Sequence, residues 1–172
     1  SGDATMAIPP QTISNDIIEN LISTSKKIAL ALKIRGPFNI QYLLKEGKLY
    51  VIECNLRSSR SMPLVSKTRG INLMKIAAEV ILGKRIDPKV MNIPIGNFVA
   101  IKCPQFSFMR LDGADPVLGV EMASTGEVAC IGDDFPDALI KALESTELKI
   151  PINRGNILIT VGGEKLKKDI IP

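Results

Sequence analysis

Residues 41–60 read Gln-Tyr-Leu-Leu-Lys-Glu-Gly-Lys-Leu-Tyr-Val-Ile-Glu-Cys-Asn-Leu-Arg-Ser-Ser-Arg, and the way this stretch folds decides the architecture. Two runs rich in apolar, aromatic and β-branched residues, 38–44 and 49–54, flank a polar Lys-Glu-Gly-Lys turn, the pattern of a β-hairpin. Register then sets which side chains share a face. A two-residue loop at Glu46-Gly47 puts Gln41 with Tyr50, Ile52 and Cys54, mixing polar and apolar groups. A three-residue loop, Glu46-Gly47-Lys48 with Gly47 at positive φ, puts Gln41 opposite Glu53. One face then carries Ile40, Tyr42, Leu44, Tyr50, Ile52 and Cys54; the other carries Gln41, Leu43, Val51, Glu53 and Asn55. The second register segregates the faces better and is the expectation. It gathers a carboxylate and two amide oxygens at one end of the hairpin, with Arg57 and Arg60 just beyond. Such oxygens suit a hard dication, and guanidiniums suit phosphate oxygens or a carboxylate. Together they suggest Mg²⁺ with a nucleotide polyphosphate.

On the N-terminal side, Pro9-Pro10 prolongs an extended approach. From Ser14, a candidate N-cap, Ile17, Ile18, Leu21, Ile22, Ile28, Ala29 and Leu32 recur at helical spacing until Gly36-Pro37 stops them. After the hairpin, residues 61–69 suit a short helix closed by Gly70. From Asn72, a second apolar stripe of Leu73, Ile76, Ala77, Val80 and Ile81 runs to Gly83. Residues 98–102 and 127–131 read as strands and 104–115 as irregular. Asp133-Asp134 then precedes a helix with Phe135, Ala138, Leu139, Ala142 and Leu143 on one face. A hairpin among mixed helices and strands favours an α+β fold over a doubly wound sheet. Residues 156–161 form a continuously apolar run of the parallel-strand kind, and Gly162-Gly163 turns into a helix, so the tail reads as the opening of a further βα domain.

Composition narrows the chemistry. With 172 residues, 45% hydrophobic and 23% charged, the chain can bury a core and is not of a disordered class. No apolar run approaches the ~20 residues of a membrane span, and no signal peptide opens it, so no membrane partner is expected. The net charge of +4 is spread along the chain without tryptophan or stacking motifs, which argues against nucleic acid. Three scattered cysteines, Cys54, Cys103 and Cys130, read as reduced thiols and a cytoplasmic setting. The absence of histidine removes every Ser-His or Cys-His nucleophile and leaves carboxylates, amides, cations and bound metal.

Each candidate also has a plain structural reading. A Glu-X-Asn at a strand end is most often a solvated edge or turn, and Arg57 and Arg60 suit surface pairing with helix carboxylates. Asp133-Asp134 fits a helix N-terminus, and Cys54 fits a core position.

A wider pattern bears on the choice. Residues 38–41 (Phe-Asn-Ile-Gln), 51–61 (Val-Ile-Glu-Cys-Asn-Leu-Arg-Ser-Ser-Arg-Ser), 62–67 (Met-Pro-Leu-Val-Ser-Lys), 113–119 (Gly-Ala-Asp-Pro-Val-Leu-Gly) and 121–128 (Glu-Met-Ala-Ser-Thr-Gly-Glu-Val) closely resemble the carbamoyl phosphate synthetase large chain, an ATP-grasp ligase, in the C-terminal of its two synthetase halves. The resemblance covers essentially the whole chain. It implies residues 1–95 as the C-terminal lobe of an ATP-grasp domain, 96–152 as the remainder of the synthetase component, and 153–172 as the start of a methylglyoxal-synthase-like allosteric domain. It further implies phosphorylation of carbamate by ATP. Glu53 matches the carboxylate shared by two Mg²⁺ or Mn²⁺ ions, and Gln41 and Asn55 match the amides completing their protein ligands. Arg57 and Arg60 match cations near the transferred phosphoryl group, and Ser1 and Gly2 the end of a nucleotide-site loop. Leu56 departs from the proline of many relatives. The family's glycine-rich phosphate loop and adenine contacts are expected before Ser1, so the chain reads as one wall of the site. The implied partners are the remaining large-chain segments, including the N-terminal synthetase half, and a glutaminase small chain, in pyrimidine and arginine biosynthesis. A non-catalytic interaction or regulatory module retaining the same lobe is the alternative.

Overall fold

The computed structural model describes residues 2–91, 96–146, 150–151, 154–156, 158 and 162–170. Its centre is a strand of alternating small and branched residues, Val99–Phe106, buried on both faces over its first five positions. In chain order the elements are β1 (Met6–Ile8), α1 (Asn15–Ala31), β2 (Asn39–Lys45), β3 (Lys48–Asn55), α2 (Met62–Thr68), α3 (Leu73–Ile81), β4 (Val99–Phe106), β5 (Ser124–Gly132), α4 (Phe135–Glu144) and α5 (Glu164–Ile170). Short 3-10 turns lie at Pro88–Met91 and Ser107–Arg110.

Two antiparallel sheets form, one of order β1-β4-β5 and one of β2-β3. In β4, Val99, Ile101 and Cys103 alternate onto one face and meet Ala138 and Ala142 of α4. The small residues of α4 let helix and sheet approach closely, and Gly132 at the end of β5 is part of that fit. A Cβ there would sit 2.6 Å from Asp137 Oδ2 and 2.8 Å from Ala138 Cα, inside contact distance of helix backbone. Asp134 caps α4, its Oδ1 accepting from the Asp137 N–H at 2.9 Å. The Asp133-Asp134 pair is therefore a helix start, as its plain reading holds.

The mixed α+β class and the helices over residues 14–32, 61–69, 72–82 and 135–143 agree with the sequence reading. Three expectations do not. The strand at 98–102 continues through Pro104 to Phe106, because Cys103, Pro104 and Gln105 find partners in Val128, Glu127 and Gly126 of β5. The strand β1, pairing Met6 with Lys102, was not anticipated, since three residues are too few for alternation to register. The hairpin loop has two residues, not three: Lys45 pairs with Lys48, and Glu46 and Gly47 take φ of 51° and 74°, the conformation of a type I′ turn. The parallel-type strand at 156–161 lies mainly outside the described residues; the helix expected after Gly163 is α5.

The hairpin is not the core. Ile52 and Val51 are about half exposed, and α1 buries none of its residues fully. The two elements touch through the Ser25 and Tyr42 hydroxyls, 2.8 Å apart.

Candidate active site

Despite the shorter loop, Gln41 does face Glu53. The register shifts between Gln41 and Tyr42: Gln41 pairs with Glu53 but Tyr42 with Val51, so Ile52 is an extra residue and β3 is bulged there. The bulge compensates for the two-residue turn. On the turn side it reverses part of the expected assignment, with Tyr50 opposite Leu43 and Val51 opposite Tyr42. On the far side the polar set is intact and gains a member, because Asn39 pairs with Asn55. Asn39, Gln41, Glu53 and Asn55 thus share one face of the hairpin end.

That face lines a cavity of about 560 Å³ together with Gly2, Arg57, Arg60, Lys102, Met122 and Glu127. The described residues that the resemblance matched to the site, Gly2, Gln41, Glu53, Asn55, Arg57 and Arg60, therefore all open onto the same space. Ser1 lies outside the described residues. The wall opposite the hairpin is the face of the three-stranded sheet turned away from α4. Lys102 is almost wholly buried in it, yet its ammonium is satisfied, donating to the Gly2 carbonyl at 3.1 Å and lying 3.7 Å from Glu127 Oε2. Lys102, Glu127 and Asn39 were missed by the sequence reading. Lys102 looked like one polar residue among strand apolars, and its hydrogen-bond acceptor, the Gly2 carbonyl, lies 100 positions away. Alternation alone, extended two residues back from Gln41, would have found Asn39.

The arginines are held differently. Arg57 Nη1 donates to the Ser58 carbonyl at 3.1 Å. Arg60 Nη1 reaches across to the Ser124 carbonyl and Oγ, each at 3.4 Å. Gly2 packs closely: a Cβ there would meet the Met122 sulfur, whose side chain would have to shift, and would stand 3.3 Å from Ser124 Oγ. Asp3 then closes the segment, Oδ1 accepting from the Ser124 N–H at 2.8 Å and Oδ2 from the Ala123 N–H at 2.9 Å.

The Ala123 amide first, and then the Ser124 groups, hold the Asp3 carboxyl below the ordinary carboxylate range. A depressed folded value means the clasp contributes above the unfolded pKa, about 3.9, and is lost as pH falls through the lower folded one. The Asp3 side-chain carbonyl ¹³C shift is expected to titrate with a midpoint below about 3.9; a midpoint at or above that value would contradict the clasp in solution.

The donor set fits a hard cation, with one carboxylate and three amide side chains on one face, none of them soft. Among the described residues no three of His, Cys, Asp and Glu gather as a metal cluster, so within this set amides would complete the protein's share around Glu53. Cys54, Cys103 and Cys130 are all free thiols. No described helix is long and apolar enough to cross a membrane.

Comparison with known proteins places the chain in a family. The profile of the family described as carbamoyl-phosphate synthase L chain, ATP binding domain, matches residues 1–89. Multifunctional protein ura1 of Schizosaccharomyces pombe is 49% identical over 173 residues, covering 100% of this chain and 8% of its own. The mitochondrial carbamoyl-phosphate synthase [ammonia] of Homo sapiens is 51% identical over 156 residues, covering 88% of this chain and 10% of its own. The chain thus spans about a tenth of the length of these relatives, which are larger proteins. Among solved structures, the multifunctional pyruvate carboxylase of Rhizobium etli superposes with a TM-score of 0.52 at 26% identity, over 58% of this chain and 10% of its own. The biotin carboxylase domain of a thermophilic 2-oxoglutarate carboxylase, bound to bicarbonate, gives 0.52 at 21%, over 58% and 23%; at that identity the likeness is one of fold. The α+β architecture is accordingly that of an ATP-grasp lobe, and the chain belongs to the carbamoyl-phosphate synthase large-chain, ATP-binding-domain family.

Proposed function

We propose that this segment forms one wall of the site at which a carbamoyl phosphate synthase large chain phosphorylates carbamate with ATP, releasing ADP and carbamoyl phosphate. The supporting observation is the convergence of Gln41, Glu53, Asn55, Arg57 and Arg60 on one cavity with Gly2 at its rim. Residues 1–95 and 96–152 act as the synthetase lobe, joined by the pairing of β1 with β4. Residues 153–172 open an allosteric domain. The remaining large-chain segments supply the glycine-rich phosphate loop and the nucleotide-base contacts, and a glutaminase small chain supplies nitrogen.

Glu53, Gln41 and Asn55 would hold two Mg²⁺ or Mn²⁺ ions, which when bound screen the negative carbamate from the negative γ-phosphate. The chain's own part is positional. The hairpin end presents its oxygens from a paired sheet, so they need little reordering on binding. Arg57 and Arg60 place positive charge beside the oxygens on which negative charge is spread during transfer, and the in-line displacement needs no histidine base.

The reaction run backward offers a direct assay. The chain combined with the separately produced ATP-grasp segment that precedes it in its relatives is expected to make ATP from ADP and carbamoyl phosphate in the presence of Mg²⁺ or Mn²⁺, whereas the chain alone is inactive. A folded mixture without metal-dependent ATP synthesis would reject this reading in favour of a non-catalytic interaction module.

A further inference from the structure

Arg60 has few anchors of its own. It is exposed, and it makes two long hydrogen bonds, to the carbonyl and hydroxyl of Ser124. Ser124 is nearly buried at the start of β5, next to a loop whose Met122 and Val120 are exposed. What fixes that junction is Asp3, whose two oxygens each take one main-chain N–H, from Ala123 and from Ser124. The segment bearing Asp3 is pinned from its other side by the buried Lys102 ammonium on the Gly2 carbonyl. A continuous run of hydrogen bonds therefore leads from Lys102 through residues 2–3 to Ser124 and on to the Arg60 guanidinium.

We propose that Asp3 is a positioning residue for Arg60: by clasping the amides of residues 123 and 124 it sets the two Ser124 oxygens that aim the guanidinium into the cavity. The inference rests on the carbamate-phosphorylating reading of the site. Asp3 itself touches no substrate. Its effect on the reaction passes through Arg60, because the carboxylate spends both oxygens on the main chain and the serine beyond carries the orientation across. Replacing Asp3 with asparagine leaves one oxygen and one N–H donor facing two N–H groups, so one of the two bonds is lost and that amide meets a like dipole.

The test is a double-mutant cycle in the intact large chain, reading ATP synthesis from carbamoyl phosphate and ADP. Asp3→Asn is expected to lower kcat about tenfold, with KM for ADP within about twofold, as a misplaced positioning group does. Arg60→Gln is expected to lower kcat by about a hundredfold. In the Arg60→Gln background, Asp3→Asn should cost less than about twofold, since groups acting as one unit are not additive. The same tenfold loss in both backgrounds, or no loss in the wild-type background, overturns the inference. Wild-type rate in Arg60→Gln overturns the reading of the site itself, so the two failures are distinct. Ser124→Ala covers the case in which Asp3→Asn does not fold. It keeps both main-chain N–H bonds to Asp3 while removing the hydroxyl that meets Arg60 and the Asp3 carboxyl, and should cost about threefold only while Arg60 is present. An additive loss there also overturns the inference.

Discussion

Glu53→Gln is expected to lower kcat for metal-dependent ATP synthesis by the intact large chain on the order of a thousandfold, or about 4 kcal/mol of transition-state stabilisation. The substitution is nearly isosteric, and position 53 keeps its pairing with Gln41, so the hairpin and its bulge should persist. What disappears is the only carboxylate on the face shared by Asn39, Gln41, Glu53 and Asn55. The amides retain dipoles but no charge, and charge is what concentrates dications where phosphoryl oxygens gather negative charge. Gln41→Ala or Asn55→Ala removes a neutral ligand each and should cost less. Calorimetric titration with Mn²⁺ should weaken for Glu53→Gln in parallel with the rate. Retention of activity within about threefold would remove Glu53 from the role proposed for it.

Ile101→Ala is expected to destabilise the chain by about 3 to 4 kcal/mol, read as a fall in the urea midpoint at unchanged slope. Ile101 is fully buried between the sheet and α4, packed with Cys103, Ala138 and Ala142. Truncation there loses burial and leaves a void that the small residues of α4 cannot fill without moving. Ile52→Ala is the contrast. Its side chain is 56% exposed at the bulge, and the change should stay within about 0.5 kcal/mol. Comparable losses for the two would mean that the hairpin is packed in solution, contrary to its exposure here.

That contrast marks where sequence reading reached and where it stopped. The helix limits were legible because capping and 3.6-residue periodicity are local: Asn72 accepts from the Lys75 N–H at 2.9 Å and Asp134 caps α4. The opposition of Gln41 and Glu53 was legible because segregating polar from apolar side chains constrains parity. The route to it was not, since a bulge leaves no mark in alternation and Glu46 is an unusual residue for positive φ. The location of the core was hidden for a different reason. Apolar content marks residues capable of burial without saying which of them meet, and the hairpin's apolar residues were as eligible as those of β4. Lys102 and Asp3 became visible only when contacts across 100 or more positions tied them to Gly2 and to residues 123–124, and Glu127 only when it met Lys102 in the cavity wall.

The bulge at Ile52 also gives the hairpin two reading frames. Beyond it, toward the turn, the pairing follows from a two-residue loop; before it, the pairing follows from the needs of the site. Carrying the first frame through the strand with every residue kept would place Gln41 opposite Ile52 instead of Glu53. Every residue of the ligand set would still be present in the sequence, and the glutamate and Asn55 would point out of the cavity. Deleting Ile52 while keeping the turn would instead leave Gln41 opposite Glu53, so the site needs the change of frame and not the bulged side chain itself.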